Sequence, residues 1–178
     1  SSIYSVVPSQ GRVGTIVTIS GVSLLSGSPS VSVTLAGVSA MVTSFSNGEI
    51  VVVAQSSAAL AGDVVISGST GGVVTRRGGF EYISAPSVSS IVPSSGQIGT
   101  IVTLSGSNLL TGGASIANVT LNGVVVSSIV RSNDSEVVVV VASGAAGSGV
   151  AELTADTGAS FNSSSATWTY LTESTISG

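Results

Sequence analysis

The 178-residue chain contains no cysteine, no histidine and no lysine. Without cysteine and histidine it lacks the usual ligands of zinc, the thiol nucleophile and the imidazole base of the common catalytic triads. Many secreted domains carry disulfides, but a domain of ordinary size folds without them, so the missing cysteines do not exclude an extracellular location. These absences predict a protein that is not an enzyme and that binds no cofactor.

Charge is also scarce, since charged residues make up only 7% of the chain and the net charge is −4. A nucleic-acid partner requires a basic surface that displaces counterions from phosphates. The basic residues are four arginines, at positions 12, 76, 77 and 131. We therefore predict no nucleic-acid partner. The longest apolar run, 137–142, is far shorter than the ~20 residues of a membrane helix, so we also predict no membrane span.

The chain repeats itself. The segment 8–21 recurs at 93–106, 85 positions later, and 49–53 recurs at 136–140, 87 positions later. The slow growth of the offset indicates single insertions, which belong in loops. We predict one domain at 1–84 and a second at 85–172, with a short linker that contains Pro86. The tail, 173–178, could be a frayed end, a linker into a further copy, or a strand donated to a neighbour.

Both copies are rich in Val, Ile and Thr, in short runs separated by Gly, Ser, Asn and Pro, a pattern typical of strands. Seven strands in each copy predict an all-β protein of two tandem immunoglobulin-like β-sandwich domains. The predicted strands are 3–7, 15–20, 31–35, 40–45, 49–54, 63–67 and 79–82 in the first copy, and 88–92, 100–105, 118–121, 124–130, 136–142, 150–155 and 167–171 in the second.

The opening segment of each copy reads Pro-Ser-x-Gly-x-x-Gly-Thr-x-Val-Thr-Ile/Leu-Ser-Gly. This segment, in a domain of about 85 residues, resembles the IPT/TIG domain, the immunoglobulin-like fold shared by plexins and transcription factors. The resemblance implies that Pro8 and Pro93 end the first strand and that the glycine pair forms the next turn. Many members have an aromatic residue after a Gly-x-Asn motif. Here leucines stand nearby, and only the second copy has the asparagine, Asn108.

Few residues are candidates for chemistry. The nearby carboxylate pairs, Asp134 with Glu136 and Glu152 with Asp156, could serve a glycosidase or hold calcium, but turn and strand positions favour solvated charges. The Gly-x-x-Gly spacing of the repeated segment lacks the lysine and helix of a phosphate-binding loop, so it predicts a turn. The pair of Arg76 and Arg77 is expected in a solvated hairpin turn.

Aromatic residues pair in the last strand of each copy. Phe80 and Tyr82 share a face there, as do Trp168 and Tyr170, because alternate strand residues point the same way. Such a pair could form a platform for sugars, but its recurrence in both copies favours a place in the core. By the same alternation, we expect the side chains at positions 17, 19, 102 and 104 to point inward.

Three asparagines lie in N-glycosylation sequons, at Asn118, Asn133 and Asn162, all in the second copy. Core-facing neighbours turn Asn118 outward, and the other two are expected in turns.

These observations favour a non-catalytic structural or interaction repeat of an extracellular or cell-surface assembly, such as a filament or a stalk. Its expected partners are other copies or neighbouring repeats, with glycans as a further candidate. The alternative is a carbohydrate-binding or accessory module of a secreted enzyme. The low charge and positive mean hydropathy favour self-association, with 1–7 or the tail as a donated strand.

Overall fold

The computed structural model describes residues 1–172, which contain strands and turns and no helix. They divide into two compact units, one of residues 1–85 grouped with 157–159 and one of residues 86–156 and 160–172. We call these units copy 1 and copy 2. Within the described residues, no helix is long and apolar enough to cross a bilayer.

Copy 1 is one continuous sheet that folds over on itself. Its order is β1-β3-β6-β5-β4-β7-β8-β2. The middle strand, β5, pairs with β4 through its first half and with β6 through its second half, so it passes from one layer of the sandwich to the other. The strands are β1 Ser2–Val7, β2 Gln10–Gly11, β3 Ile16–Val22, β4 Val31–Leu35, β5 Val38–Phe45, β6 Glu49–Val53, β7 Leu60–Gly68 and β8 Val73–Tyr82.

Copy 2 has the same layers as two separate sheets. The five-stranded sheet has the order β10-β17-β16-β12-β13, and the four-stranded sheet has the order β14-β15-β11-β9. The counterpart of β5 is broken into two short strands, one in each sheet. The strands are β9 Ser87–Val92, β10 Ser95–Gly96, β11 Ile101–Ser107, β12 Ile116–Leu121, β13 Val124–Val125, β14 Ser128–Ser132, β15 Glu136–Val140, β16 Gly147–Ala155 and β17 Ser160–Tyr170.

Each copy has its own hydrophobic core between its layers. In copy 1, Ile19 on β3 and Ile66 on β7 are fully buried from opposite layers of the folded sheet, and Leu104 and Leu153 hold the equivalent places in copy 2. The four predicted inward positions are confirmed, since Val17, Ile19, Val102 and Leu104 have no exposed surface. Alternation in the β-branched runs thus produces the sandwich, because each strand buries one face.

The last strand of copy 1 differs from its prediction. Strand β8 begins at Val73 and contains Arg76 and Arg77, so the expected turn at these arginines is wrong. The adjacent Gly78 and Gly79 suggested a strand boundary. They instead lie in a bulge, where the pairing shifts between Gly62 and Val64 and Gly78 has a φ of 56°.

Copy 2 repeats this difference. Strand β17 begins at Ser160 and contains Asn162, which was expected in a turn. Its bulge covers the serines at 163–165, opposite the register shift between Val150 and Glu152. The predicted strand 124–130 is also wrong as one element, because the chain leaves one sheet after Val125 and joins the other at Ser128. The two-residue strands β2 and β10 were not predicted.

Candidate functional site

The repeated glycine motif builds a turn. In copy 1, Thr15 is fully buried, and its hydroxyl accepts a hydrogen bond from the backbone N–H of Arg12 at 3.0 Å. Gly11 packs on this side chain so closely that a Cβ would lie 2.5 Å from the hydroxyl oxygen. Gly14 has a φ of 88°, a conformation that favours glycine. The predicted turn is confirmed, and the motif residues are occupied in forming it.

The acidic side chains are engaged in local structure. Asp134 accepts a hydrogen bond from the N–H of Leu110, and Asp156 accepts one from the N–H of Ala114. Glu136 forms an ion pair with Arg131, with 2.6 Å between the closest atoms. Across residues 1–172 no three acidic side chains come together as metal ligands. Asp134, Glu136 and Asp156 therefore fix loops and strands of copy 2, while Glu152 is exposed on β16.

The paired aromatic residues lie in the cores. Phe80 and Tyr82 contact each other edge to face with 5.1 Å between ring centres, and Trp168 and Tyr170 do so with 5.7 Å. All four side chains are almost completely buried. Burial raises the pKa of the Tyr82 and Tyr170 hydroxyls, an effect that the backbone N–H of Gln55 partly offsets at Tyr82. The prediction of a core role is confirmed, and these rings offer no platform to a sugar.

Arg76 has a structural function that the sequence does not reveal. Its guanidinium reaches from β8 to the neighbouring edge of the sandwich and donates hydrogen bonds to the carbonyl oxygens of Ile3 and Tyr4 on β1. Strand β1 pairs through its other side with β3, where Ser2 lies opposite Val22. The segment Ser2–Val7, a candidate donated strand, is thus paired within its own chain. The other candidate, 173–178, lies outside the described residues.

Two sequon asparagines point outward from the five-stranded sheet of copy 2. Asn118 on β12 is exposed, while the next residue, Val119, is fully buried. Asn162 on β17 is exposed next to buried Ser163, and its side-chain oxygen accepts a hydrogen bond from the N–H of Ser164. The register places Asn118 opposite Thr154 and Asn162 opposite Glu152 across the shared neighbour β16. The surface around them is polar.

The third sequon asparagine caps a turn. The side-chain oxygen of Asn133 accepts hydrogen bonds at 2.9 Å from the N–H groups of Ser135 and Glu136 and from the Ser135 hydroxyl. The turn position expected for Asn133 is confirmed. A glycan attaches to the amide nitrogen, so these bonds to the oxygen are compatible with a modified side chain.

A shallow open groove of about 250 Å³ runs over β4 and β7 of copy 1. Four of its six lining residues are serines. A groove that binds sugars normally presents a flat aromatic ring, and this one has none. Its lining residues are Ser30, Val31, Ser32, Ser67, Gly68 and Ser69.

Comparison with solved structures finds similar folds in large extracellular proteins. Two structures of the plexin A4 full extracellular region match with TM-scores of 0.61 and 0.59, each at 19% identity, over 96% and 83% of this chain. The chain covers only 18% and 13% of those plexin chains. At this identity the likeness shows the fold alone.

A glycan-binding protein also matches. It is the SGBP-B protein of a mixed-linkage glucan utilization locus of Bacteroides ovatus, in complex with a mixed-linkage heptasaccharide. It has 16% identity and a TM-score of 0.39, over 96% of this chain and 45% of the other. No curated protein sequence matches the chain.

The sequence profile of the IPT/TIG domain matches twice, at residues 1–82 and 86–170. The two matches cover both sandwiches, including the paired glycine turns and the buried aromatic pairs. The chain therefore belongs to the IPT/TIG family and consists of two of its immunoglobulin-like domains in tandem.

Proposed function

We propose that the chain is a non-catalytic structural repeat of an extracellular or cell-surface assembly, and that it works as a subunit of a filament or stalk. The observation that carries this proposal is the exposure of large aliphatic side chains on a chain with little charge. Val7, Val92 and Ile101 are each 62% exposed, and the chain has no lysine on any strand edge. Lysine is a common guard against association through sheet edges.

The size of the copies adds to this argument. A domain of about 85 residues leaves much of its surface outside the core. Net charge normally keeps such surfaces apart in solution, and only 7% of these residues are charged. Contacts with other copies or with neighbouring repeats would cover the exposed aliphatic side chains.

A catalytic function receives no support from the side chains available. The carboxylates of Asp134, Glu136 and Asp156 are bound to loop N–H groups or to Arg131. Glycoside hydrolysis normally requires two carboxyl groups that flank the scissile bond. The proposed function is accordingly one of structure and contact.

An extracellular location would allow N-glycosylation, and we propose Asn118, Asn133 and Asn162 as its sites. All three are exposed, and glycans on Asn118 and Asn162 would project from the same polar sheet of copy 2. The test is the intact mass of material from the native source. Glycans would raise the mass above the 17.2 kDa of the polypeptide, and Asn→Gln at an occupied site would remove one increment. A bare mass would refute the proposal.

The alternative function, a carbohydrate-binding or accessory module, has weaker support. The aromatic pairs at 80 and 82 and at 168 and 170 are buried, and the groove at 30–32 and 67–69 is lined by serines. Affinity electrophoresis in gels that contain soluble plant or bacterial polysaccharides separates the two functions. Unchanged migration in every gel supports the structural function, whereas strong retardation by one polysaccharide favours the alternative.

Electron microscopy of native material tests the proposal itself. A filament or stalk subunit should appear in elongated particles with a repeating unit. Isolated compact particles at every concentration would contradict the proposal.

A further inference from the structure

One layer of copy 1 has a largely aliphatic outer surface. The inward residues of β3 and β6 alternate with outward ones, and the register places Ile16 opposite Val53 and Thr18 between Val7 and Val51. Among these five residues, Val7 is 62% and Ile16 is 49% exposed. We call this surface, formed by residues 7, 16, 18, 51 and 53, outer face 1.

Copy 2 has the same surface at the equivalent positions. On its four-stranded sheet, Ile101 lies opposite Val140, and Thr103 lies between Val92 and Val138. Val92 and Ile101 are both 62% exposed. We call the surface formed by residues 92, 101, 103, 138 and 140 outer face 2. Each of its five side chains is identical to its counterpart in outer face 1.

The fold does not require this identity. Packing constrains a buried residue, but an outward strand residue is free to become polar. The opposite layer shows such a difference, since Val65 of copy 1 corresponds to Glu152 of copy 2, and its neighbouring outward position is polar in both copies, as Ser32 and Asn118. The most exposed positions of the faces, Val7 and Ile16 with their counterparts Val92 and Ile101, are therefore aliphatic in both copies. The other positions are half-buried, apart from Val138, which is 6% exposed. Retention without a packing reason points to a contact.

The chemistry of the faces selects the kind of partner. Each consists of four aliphatic side chains and a threonine, without the aromatic rings that stack on sugars and without lysines for phosphate groups. A surface of this kind gains most by packing against another aliphatic sheet, as the two layers of a sandwich do. The chain itself supplies two such surfaces.

The charged residues beside the faces indicate which two faces pack together. Glu49 is the first residue of β6 and borders outer face 1, where it lies opposite Ser20. Glu136 has the same place at the start of β15, beside outer face 2 and opposite Ser105. Glu136 is bound by Arg131, whose side chain is 64% exposed and uses its Nε and one terminal nitrogen in that contact. In copy 1 the position of this arginine is held by Ser44, opposite Val51. Arg131 has N–H donors left for a second carboxylate.

We propose that outer face 1 of one chain packs on outer face 2 of a second chain, with Glu49 near Arg131 of that second copy. Two copies of outer face 1 in contact would instead bring their Glu49 side chains together. A contact between two unlike surfaces leaves one of each unused, so it continues into an open filament unless it closes into a ring. This inference rests on the proposed function and names the surfaces that perform it.

The test compares lysine substitutions on and off the faces by light scattering over a concentration series. Val7→Lys and Val92→Lys should each weaken association at least tenfold. The matched controls are Val73→Lys and Val125→Lys, since these valines are 59% and 56% exposed on the other sheets of the two copies. The controls should associate like the unmodified chain. Thermal unfolding of each variant verifies that it is folded.

The charge argument has its own variant, Glu49→Ala. It should weaken association and reduce its sensitivity to salt, because the contact to Arg131 is lost. Stronger association of Glu49→Ala would instead mean that two copies of outer face 1 meet, and would overturn the pairing. Assembly by Val7→Lys and Val92→Lys at control levels would overturn the inference and leave the proposed function standing. A chain that stays monomeric without substitutions would overturn both.

Discussion

Gly11 lies directly against Thr15 in copy 1, where a Cβ on the glycine would come within 2.5 Å of the threonine hydroxyl and 2.7 Å of its methyl group. The same contact joins Gly96 and Thr100 in copy 2, with the edge of the Trp168 ring 3.0 Å from the missing Cβ. The repeated motif is thus explained by packing, since only glycine leaves room for the threonine whose hydroxyl caps the turn.

Gly11→Ala should therefore destabilise copy 1 by about 1–3 kcal/mol, the usual cost of forcing an extra carbon into a packed site. Gly48→Ala is the control in the same copy, because a Cβ there would meet nothing within 4 Å and the expected change is within about 0.5 kcal/mol. Urea denaturation measures both. Equal stability of the two variants would mean that the Gly11 contact is not tight.

The inward and outward residues of β11 make a second matched pair. Leu104→Ala should cost about 2–5 kcal/mol because it leaves a cavity in the core of copy 2. Ile101→Ala on the same strand should change the free energy of unfolding by less than about 0.5 kcal/mol in dilute solution, since Ile101 is exposed. Similar losses at both positions would show that the register of β11 is wrong.

Arg76 should hold the edge of β1. Arg76→Ala removes the donors to the Ile3 and Tyr4 carbonyl oxygens and should cost about 1 kcal/mol, because the site is only half-buried. Hydrogen exchange should be faster at the amides of β1 than in the unmodified chain. Arg77→Ala is the control, as Arg77 is exposed beside it. Unchanged exchange in Arg76→Ala would exclude this function.

Two buried tyrosines predict a loss of stability in alkali. Burial raises the pKa of Tyr82 and Tyr170 above the ordinary value, because it disfavours the phenolate. A group whose pKa is raised by folding stabilises the protein below its unfolded pKa, about 10 for tyrosine, and this contribution is lost as the pH rises through the folded pKa. Melting temperatures should thus fall above pH ~10.

The double variant Tyr82→Phe and Tyr170→Phe tests that assignment. Its melting temperature should fall less between pH 10 and 12 than that of the unmodified chain, since the variant lacks these two buried phenols. Near neutral pH the Tyr170 substitution should be close to neutral, because no protein group in the described residues bonds to that hydroxyl. An equal loss in alkali for both proteins would assign it to other groups.

The sequence predicts the two sandwiches well because their signals are local. Alternation along 15–20 and 100–105 places Val17 and Leu104 in the core, and the glycine motif marks the turn before each of these strands. The family resemblance adds the layer arrangement. These features depend on residues close together in the chain, and the structure confirms them.

The contacts that the sequence does not reveal join distant residues. Arg76 meets Tyr4 across 72 positions, and nothing in either segment indicates the pairing. Paired glycines at 78 and 79 are typical of turns as well as of bulges. The sequence pattern therefore predicts that the last strand of copy 1 begins at 79, whereas β8 begins at Val73. The serines at 163–165 gave the same misleading signal in β17. The outer faces became visible only once register showed which valines share a surface.

Sedimentation velocity of the chain isolated from its native source, over a wide concentration range, tests the central claim most directly. A structural repeat that assembles through its own surfaces should sediment as a growing series of elongated species as the concentration rises. A single compact monomer at every concentration, with no elongated particles in native material, would contradict the account.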